Sequence, residues 1–119
     1  MSRHCLWLPD YTPPSLNQLK GHWAVAAKKK KADRELVAAH ALAQGLPKAA
    51  APRLVELRVV LAAGQRAMDE DNVWKALLDS LVQAGLLKDD SPKWCKRAPA
   101  EFLRSGTDLR ETFVILTDL

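Results

Sequence analysis

Four aspartates flank one amphipathic stretch, MDEDNVWKALLDSLVQAGLLKDD at residues 68–90, with Asp69 and Asp71 at its start and Asp89 and Asp90 at its end. Like charges held this close repel, so a fold tolerates them where water or a cation lies between them. If the backbone is still extended at the first pair, residues two apart project to the same side, and the carboxylates of Asp69 and Asp71 can share one ion. Asp90 joins them if the chain after the stretch doubles back. Oxygen-rich clusters of this kind suit Mg²⁺ or Mn²⁺ far better than zinc. Lys75, one helical turn after Asp71, can neutralise the cluster or reach a phosphate oxygen, and Asp79 one turn further is expected to hold Lys75 in place. A purely structural reading stands beside this one. Acidic residues at a helix start cap it and favour its dipole by roughly 0.3–1 kcal/mol each, and a DD pair after a helix can be a simple turn.

Two other carboxylate sites fit less well. A calcium loop starting at Asp69 needs Asp or Asn at position 73 and Gly at 74, where the chain has Val73 and Trp74. A sugar-nucleotide DxD site calls for a larger nucleotide-binding domain than 119 residues provide.

The elements that must position these residues are legible from spacing. CLWLP at the start reads as a strand closed by Pro9, and YTPPSLNQLKG as an irregular loop. From Trp23 to Gln44 the chain is rich in helix-forming Ala, Lys, Leu and Glu, and Gly45 and Pro47 stop it. RLVELRVVLAA reads as a buried strand. Val73, Trp74, Leu77, Leu78, Leu81 and Val82 recur at three- and four-residue spacing, which paints one face of a helix. Asp71 or Asn72 is expected to cap its start, and Gly85 to end it in the left-handed conformation with Leu86 folded back. The remainder predicts two strands joined by the turn SGTD. The order β-α-β-α-β-β implies a single small α/β or α+β domain, a mixed sheet packed with two main helices.

Bulk composition narrows the partners. No run of apolar residues is long enough for a membrane span, and MSRHCLWLPDYT lacks the apolar core of a signal peptide, so a cytoplasmic protein is expected. Cys5 and Cys95 are isolated and read as reduced thiols, and His4, His22 and His40 form no ligand pair. The net charge is +4. Residues 66–90 carry three basic against six acidic side chains, which leaves fifteen against eight elsewhere. A basic body around an acidic spot suits a polyanion held against metal ions.

The two blocks PPSLN at residues 13–17 and DEDNVWKALLDSLVQAGLLKDD at residues 69–90 resemble the RusA family of Holliday junction resolvases. The signature of that family is D-x-D-N-x-x-K-x-x-x-D-x-L, then Gly, then DD. The resemblance implies a Mg²⁺-dependent endonuclease, Mn²⁺ being the other candidate ion, that resolves four-way DNA junctions by paired phosphodiester hydrolysis. It implies Asp69, Asp71 and Asp90 as metal-binding catalytic carboxylates and Lys75 as a catalytic cation, with Asn72, Asp79 and Asp89 in supporting positions. One departure is Met68, where some members carry arginine. A junction of approximate two-fold symmetry needs two matched cuts, so the resemblance also implies a homodimer, of a kind found in phages and prophages. Beside such a site, Lys20, Lys28, Lys29, Lys30, Lys31, Arg34, Lys93, Lys96 and Arg97 become candidate contacts to the DNA backbone, with Trp23 and Trp94 the aromatics nearest to it. Trp74 reads as core. Two rivals remain, a catalytically inactive DNA-binding module of the same fold and an interaction protein whose carboxylates only cap a helix.

Overall fold

The structure, a computed structural model, describes residues 2–13, 23–66 and 68–119, with only the backbone described for residues 23–26. The chain runs β1 (Arg3–Pro9), α1 (Trp23–Ala43), β2 (Arg53–Leu61), α2 (Glu70–Gln83), β3 (Cys95–Arg97), β4 (Glu101–Arg104) and β5 (Glu111–Asp118). Together these form a mixed five-stranded sheet with two helices, an α+β fold, and the order matches expectation apart from one extra short strand.

Alternation within the strands decides which side is core. Leu6 and Leu8 of β1, Val55, Leu57, Val59 and Leu61 of β2, and Val114 and Leu116 of β5 point to one side. There they meet Val37 and Ala41 of α1 and Val73, Trp74, Leu77, Leu78 and Leu81 of α2. Burying each large apolar side chain contributes about 1.5–3 kcal/mol, so the α2 stripe alone fixes the rotation of that helix about its axis. Trp74 is core, as its spacing requires. Tyr11 is buried too, and burial pushes its phenol well above the ordinary range, with the nearby Asp33 carboxylate adding to the effect.

Two details of topology depart from the sequence reading. SGTD does not close a hairpin. β5 lies antiparallel between β1 and β2, whereas β4 runs parallel to β2 on its other side, so the loop carries the chain from one flank of β2 to the other. The second departure is that β3 and β4 form one interrupted line along β2. Arg53 faces Cys95 and Arg58 faces Glu101, so the outer strand spends one residue more than β2 over the same stretch. Pro99 sits in that break, and the amide of Ala100 donates to the carboxylate of Glu70 in the first turn of α2. The broken edge thereby holds the start of the helix.

Both helices end in the same way. Gly45 (φ 67°) follows α1 with Leu46 N–H donating back to Ala41 O at 3.0 Å, and Gly85 (φ 79°) follows α2 with Leu86 N–H donating to Leu81 O at 2.9 Å. Each glycine takes the left-handed conformation that other residues resist, which turns the following leucine under the last turn.

The buried Arg53 joins these ends. Its Nε donates to Asp118 Oδ1 (2.7 Å), Nη1 to Leu86 O (2.9 Å) and Nη2 to Pro47 O (3.2 Å). A single guanidinium thus ties the start of β2, the end of β5 and the turns after both helices. Arg53→Met should destabilise the fold by roughly 3 kcal/mol, because the carbonyls lose their donor and the ion pair is broken. Urea unfolding measures it. The same guanidinium holds the Asp118 carboxyl below its usual range. A carboxylate lowered in the folded state adds stability above its unfolded pKa of about 3.9, lost as pH falls through the folded value. Asp118→Asn should therefore flatten the acid limb of a stability-pH profile read by thermal melting below pH 4.

Candidate functional site

Asp69 is the N-cap of α2, with extended backbone (φ −71°, ψ 122°), and its Oδ1 accepts the amide of Asp71 at 2.9 Å. The cap is therefore Asp69 and not Asp71 or Asn72, and the helix begins at Glu70. Asp71 thus lies inside the first turn, so the pairing of the two carboxylates along an extended strand does not hold. What positions them is the linker from β2. Gln65 accepts the amide of Ala62 and donates to Thr12, Arg104 donates to the carbonyl of Gln65, and Met68 packs half-buried against the core. Asp69 and Asp71 are exposed.

The chain beyond α2 does double back. Asp89 Oδ1 accepts the amide of Asp90 (2.9 Å), and the side chain of Ser91 together with that amide holds the Asp89 carboxyl below its ordinary value. This turn brings Asp90 onto the wall of a cleft of about 290 Å³ lined also by Lys75, Leu78, Pro92, Cys95 and Arg97. Lys75 and Asp90 thus share one concave surface although fifteen positions separate them. Asp69 and Asp71 lie outside this cleft, at the N-terminal end of the same helix. Among the described residues, no three His, Cys, Asp or Glu side chains converge where one metal ion could be held.

Lys75 is exposed and has no ion pair among the described residues. Asp79 does not hold it. Asp79 Oδ2 instead lies 2.6 Å from Arg34 Nε, an ion pair that bridges α2 to α1. The reason is geometric, since Arg34 reaches Asp79 across the contact between the two helices. Asn72 is half-buried in the first turn.

The expected cationic contacts divide into two groups. Lys28, Lys29, Lys30 and Lys31 are all exposed on α1, but Lys29 pairs with the buried Asp33 at 2.9 Å and Lys31 with Glu35 at 3.9 Å. With Arg34 on Asp79, only Lys28 and Lys30 of this group lack an acidic partner among the described residues. The second group lies on β3 and the turn before it, where Arg97 lines the cleft and Lys96 projects to the opposite face of the sheet. Lys93 and Lys96 are exposed, and Arg97 lies over the Trp74 ring, 5.6 Å from its centre. Lys20, the PSLN part of the first motif and the side chain of Trp23 fall outside the described residues.

Three participants were not anticipated. Lys88 places its ammonium over the Trp94 ring at 5.2 Å, as Lys93 does at 5.5 Å, so this indole carries two cations. Cys95 lines the cleft as a neutral thiol, because burial pushes its pKa up, with Arg97 opposing and Asp90 adding. Glu70 anchors the helix start through Ala100. The signal for Cys95 was present in its separation by two from Arg97, which on a strand points both to the same face as Arg53 and Val55.

The donors fit Mg²⁺ in type. Mg²⁺ keeps several waters and takes one or two carboxylates plus substrate phosphates, so a closed protein cage is not required. Asp69, Asp71 and Asp90 are exposed oxygen donors with no basic side chain on them among the described residues.

The capping geometry separates the structural and chemical roles of Asp69. Asparagine caps a helix about as well as aspartate, so Asp69→Asn should leave stability nearly unchanged while Asp69→Ala costs about 1 kcal/mol. Chemical denaturation of the metal-free protein distinguishes them. The chain matches no model of a known protein family and no curated protein, so the resemblance to the RusA resolvases rests on the two motifs.

Proposed function

We propose that this protein is a Mg²⁺-dependent, structure-specific DNA endonuclease that resolves four-way junctions, acting as a homodimer in the cytoplasm in DNA recombination and repair. The observation that carries the reading is the cleft shared by Lys75, Asp90 and Arg97, with Asp71 one helical turn before Lys75 on the same helix. Two cations beside a carboxylate suit a phosphodiester. Lys75 and Arg97 bind and orient the phosphate and stabilise the extra charge of its transition state, in the way preorganised donors act on developing charge. Apolar Leu78 and the neutral Cys95 thiol lower water access on one wall of the cleft. Mg²⁺ or Mn²⁺ would take one or two of the carboxylates Asp69, Asp71 and Asp90 together with oxygens of the substrate phosphate. When bound, the ion supplies an activated water and offsets charge on the scissile phosphate.

The basic rim continues away from the cleft through Lys88, Lys93 and Trp94. Such contacts position a DNA backbone without reading sequence. The second reading, a DNA-binding module without catalysis, is favoured by one observation, the carboxylates that do not converge among the described residues.

Purified protein on a synthetic four-way junction, with and without Mg²⁺, separates the two. The nuclease reading expects paired nicks with Mg²⁺, none without it, and at least roughly 100-fold slower cleavage for Asp71→Asn and Lys75→Ala with junction binding retained. Tight binding without any nicking supports the module instead. Affinity for the junction should also fall steeply with salt, since each phosphate contact releases counterions, and a flat response would remove the basic rim from the proposal.

A further inference from the structure

We infer that the face of the sheet opposite the helices is the surface on which a second copy of this chain docks. On that face β1 presents Trp7, β5 presents Phe113 and Ile115, β2 presents Leu54 and Val60, and β4 presents Leu103. None of these six belongs to the core cluster that the two helices cover. Trp7 and Leu103 remain 47% and 42% exposed, whereas Ile115 keeps 7% of its surface exposed. The Trp7 ring is held ready, its Nε1–H donating to Glu111 Oε1 at 2.8 Å across the strand pair. A tryptophan ordered before binding loses little entropy when buried, as anchor residues of interfaces do.

Charge favours a like partner. The same face carries Arg3, Arg58 and Lys96 against Glu56, Glu101 and Glu111, with Arg58 and Glu101 paired at 3.3 Å. Three of each sign make the face neutral on a chain of net charge +4, so a polyanion has no reason to choose it. A two-fold interface brings one patch onto itself, which a balanced patch tolerates and a basic one does not. Area is sufficient. Three strands of seven to nine residues and the interrupted outer line of β3 and β4, about 4.8 Å apart, span roughly 500 Å² per copy, or ~1,000 Å² for the pair, near the lower bound for a specific interface.

The sheet edges are closed to the alternative mode, pairing strand to strand. On β1 the amide of Trp7 donates to Gln44 Oε1 (2.9 Å) and its carbonyl accepts Gln44 Nε2 (2.7 Å), so a side chain occupies the edge. The opposite edge is broken at Pro99. Blunted edges with an open apolar face direct association to the face.

The inference names the interface of the homodimer in the proposed function, but its test needs no cleavage. Light scattering on the full chain at tens of micromolar should give twice 13.2 kDa for the wild type and the single mass for Trp7→Glu/Leu103→Glu. Both substituted positions are exposed, and far-UV circular dichroism checks that the variant folds. Cys5 lies on this face beside Ile115 and is exposed in the single chain, whereas Cys95 is buried. Maleimide labelling of Cys5 should be slow in the wild type and fast in the variant, with Cys95 as the internal reference. A monomeric wild type, a variant that stays dimeric, or dissociation by Lys30→Glu on α1 would each overturn the inference. A dimeric wild type that never cuts junction DNA overturns the nuclease reading and leaves this one standing.

Discussion

The parallel pairing of β2 with β3 constrains everything else. A strand that leaves one end of a sheet and returns parallel beside itself must travel back the full length of its neighbour, and here α2 makes that journey. The acidic start of α2 therefore lies near the end of β2, and the Asp89–Asp90 turn near its beginning. Fourteen helical residues span about 21 Å, so the two clusters begin well apart. What reduces the separation is the turn after Gly85, which folds the chain back along the helix until Asp90 shares a wall with Lys75 and Leu78. Arg53 stabilises that return, since its guanidinium holds the carbonyl of Leu86 at the point where the chain reverses.

The electrostatics follow from which side chains are already committed. Arg34 and Asp79 neutralise one another between the helices, and Lys29 neutralises the buried Asp33. Lys75 has no such partner among the described residues, and it sits where a carboxylate, a second cation and an apolar wall meet. An exposed lysine without an acid beside it costs the fold little and keeps its charge for an anionic ligand. Around Trp94, two ammonium groups over one indole give about 0.5–1 kcal/mol each, enough to order the side chains without removing their charge from solvent.

Much of the fold was legible because it rests on local chemistry. The apolar stripe from Val73 to Leu81 sets α2, the Gly85 and Leu86 pair ends it, and the alternation of Arg53 to Leu61 sets β2. Non-local choices were not legible. Nothing local to SGTD distinguishes a hairpin from a crossing to the far flank of β2, because strand order is decided by which apolar faces share the core. Arg53 looks like any strand-start arginine until three segments distant in sequence converge on it. Of the candidate site, the spacing within α2 gave the turn between Asp71 and Lys75, but the partner of Asp79 depended on how α1 crosses α2, which no motif encodes.

Capping and metal binding are often set against one another as explanations of an aspartate at a helix start, yet Asp69 can serve both. An ionised carboxylate has about four lone-pair sites, and the cap uses one oxygen, Oδ1, on the amide of Asp71. Oδ2 remains, and the hydrogen bond fixes the rotamer that presents it. The helix dipole favours a negative charge at that position. Glu70 strengthens the arrangement from the other side, because its bond to Ala100 anchors the first turn to the broken outer strand. A carboxylate oriented by its own helix loses less freedom on meeting a cation than one on a free loop, and a site built this way can stay open to solvent until a phosphate brings the last oxygens.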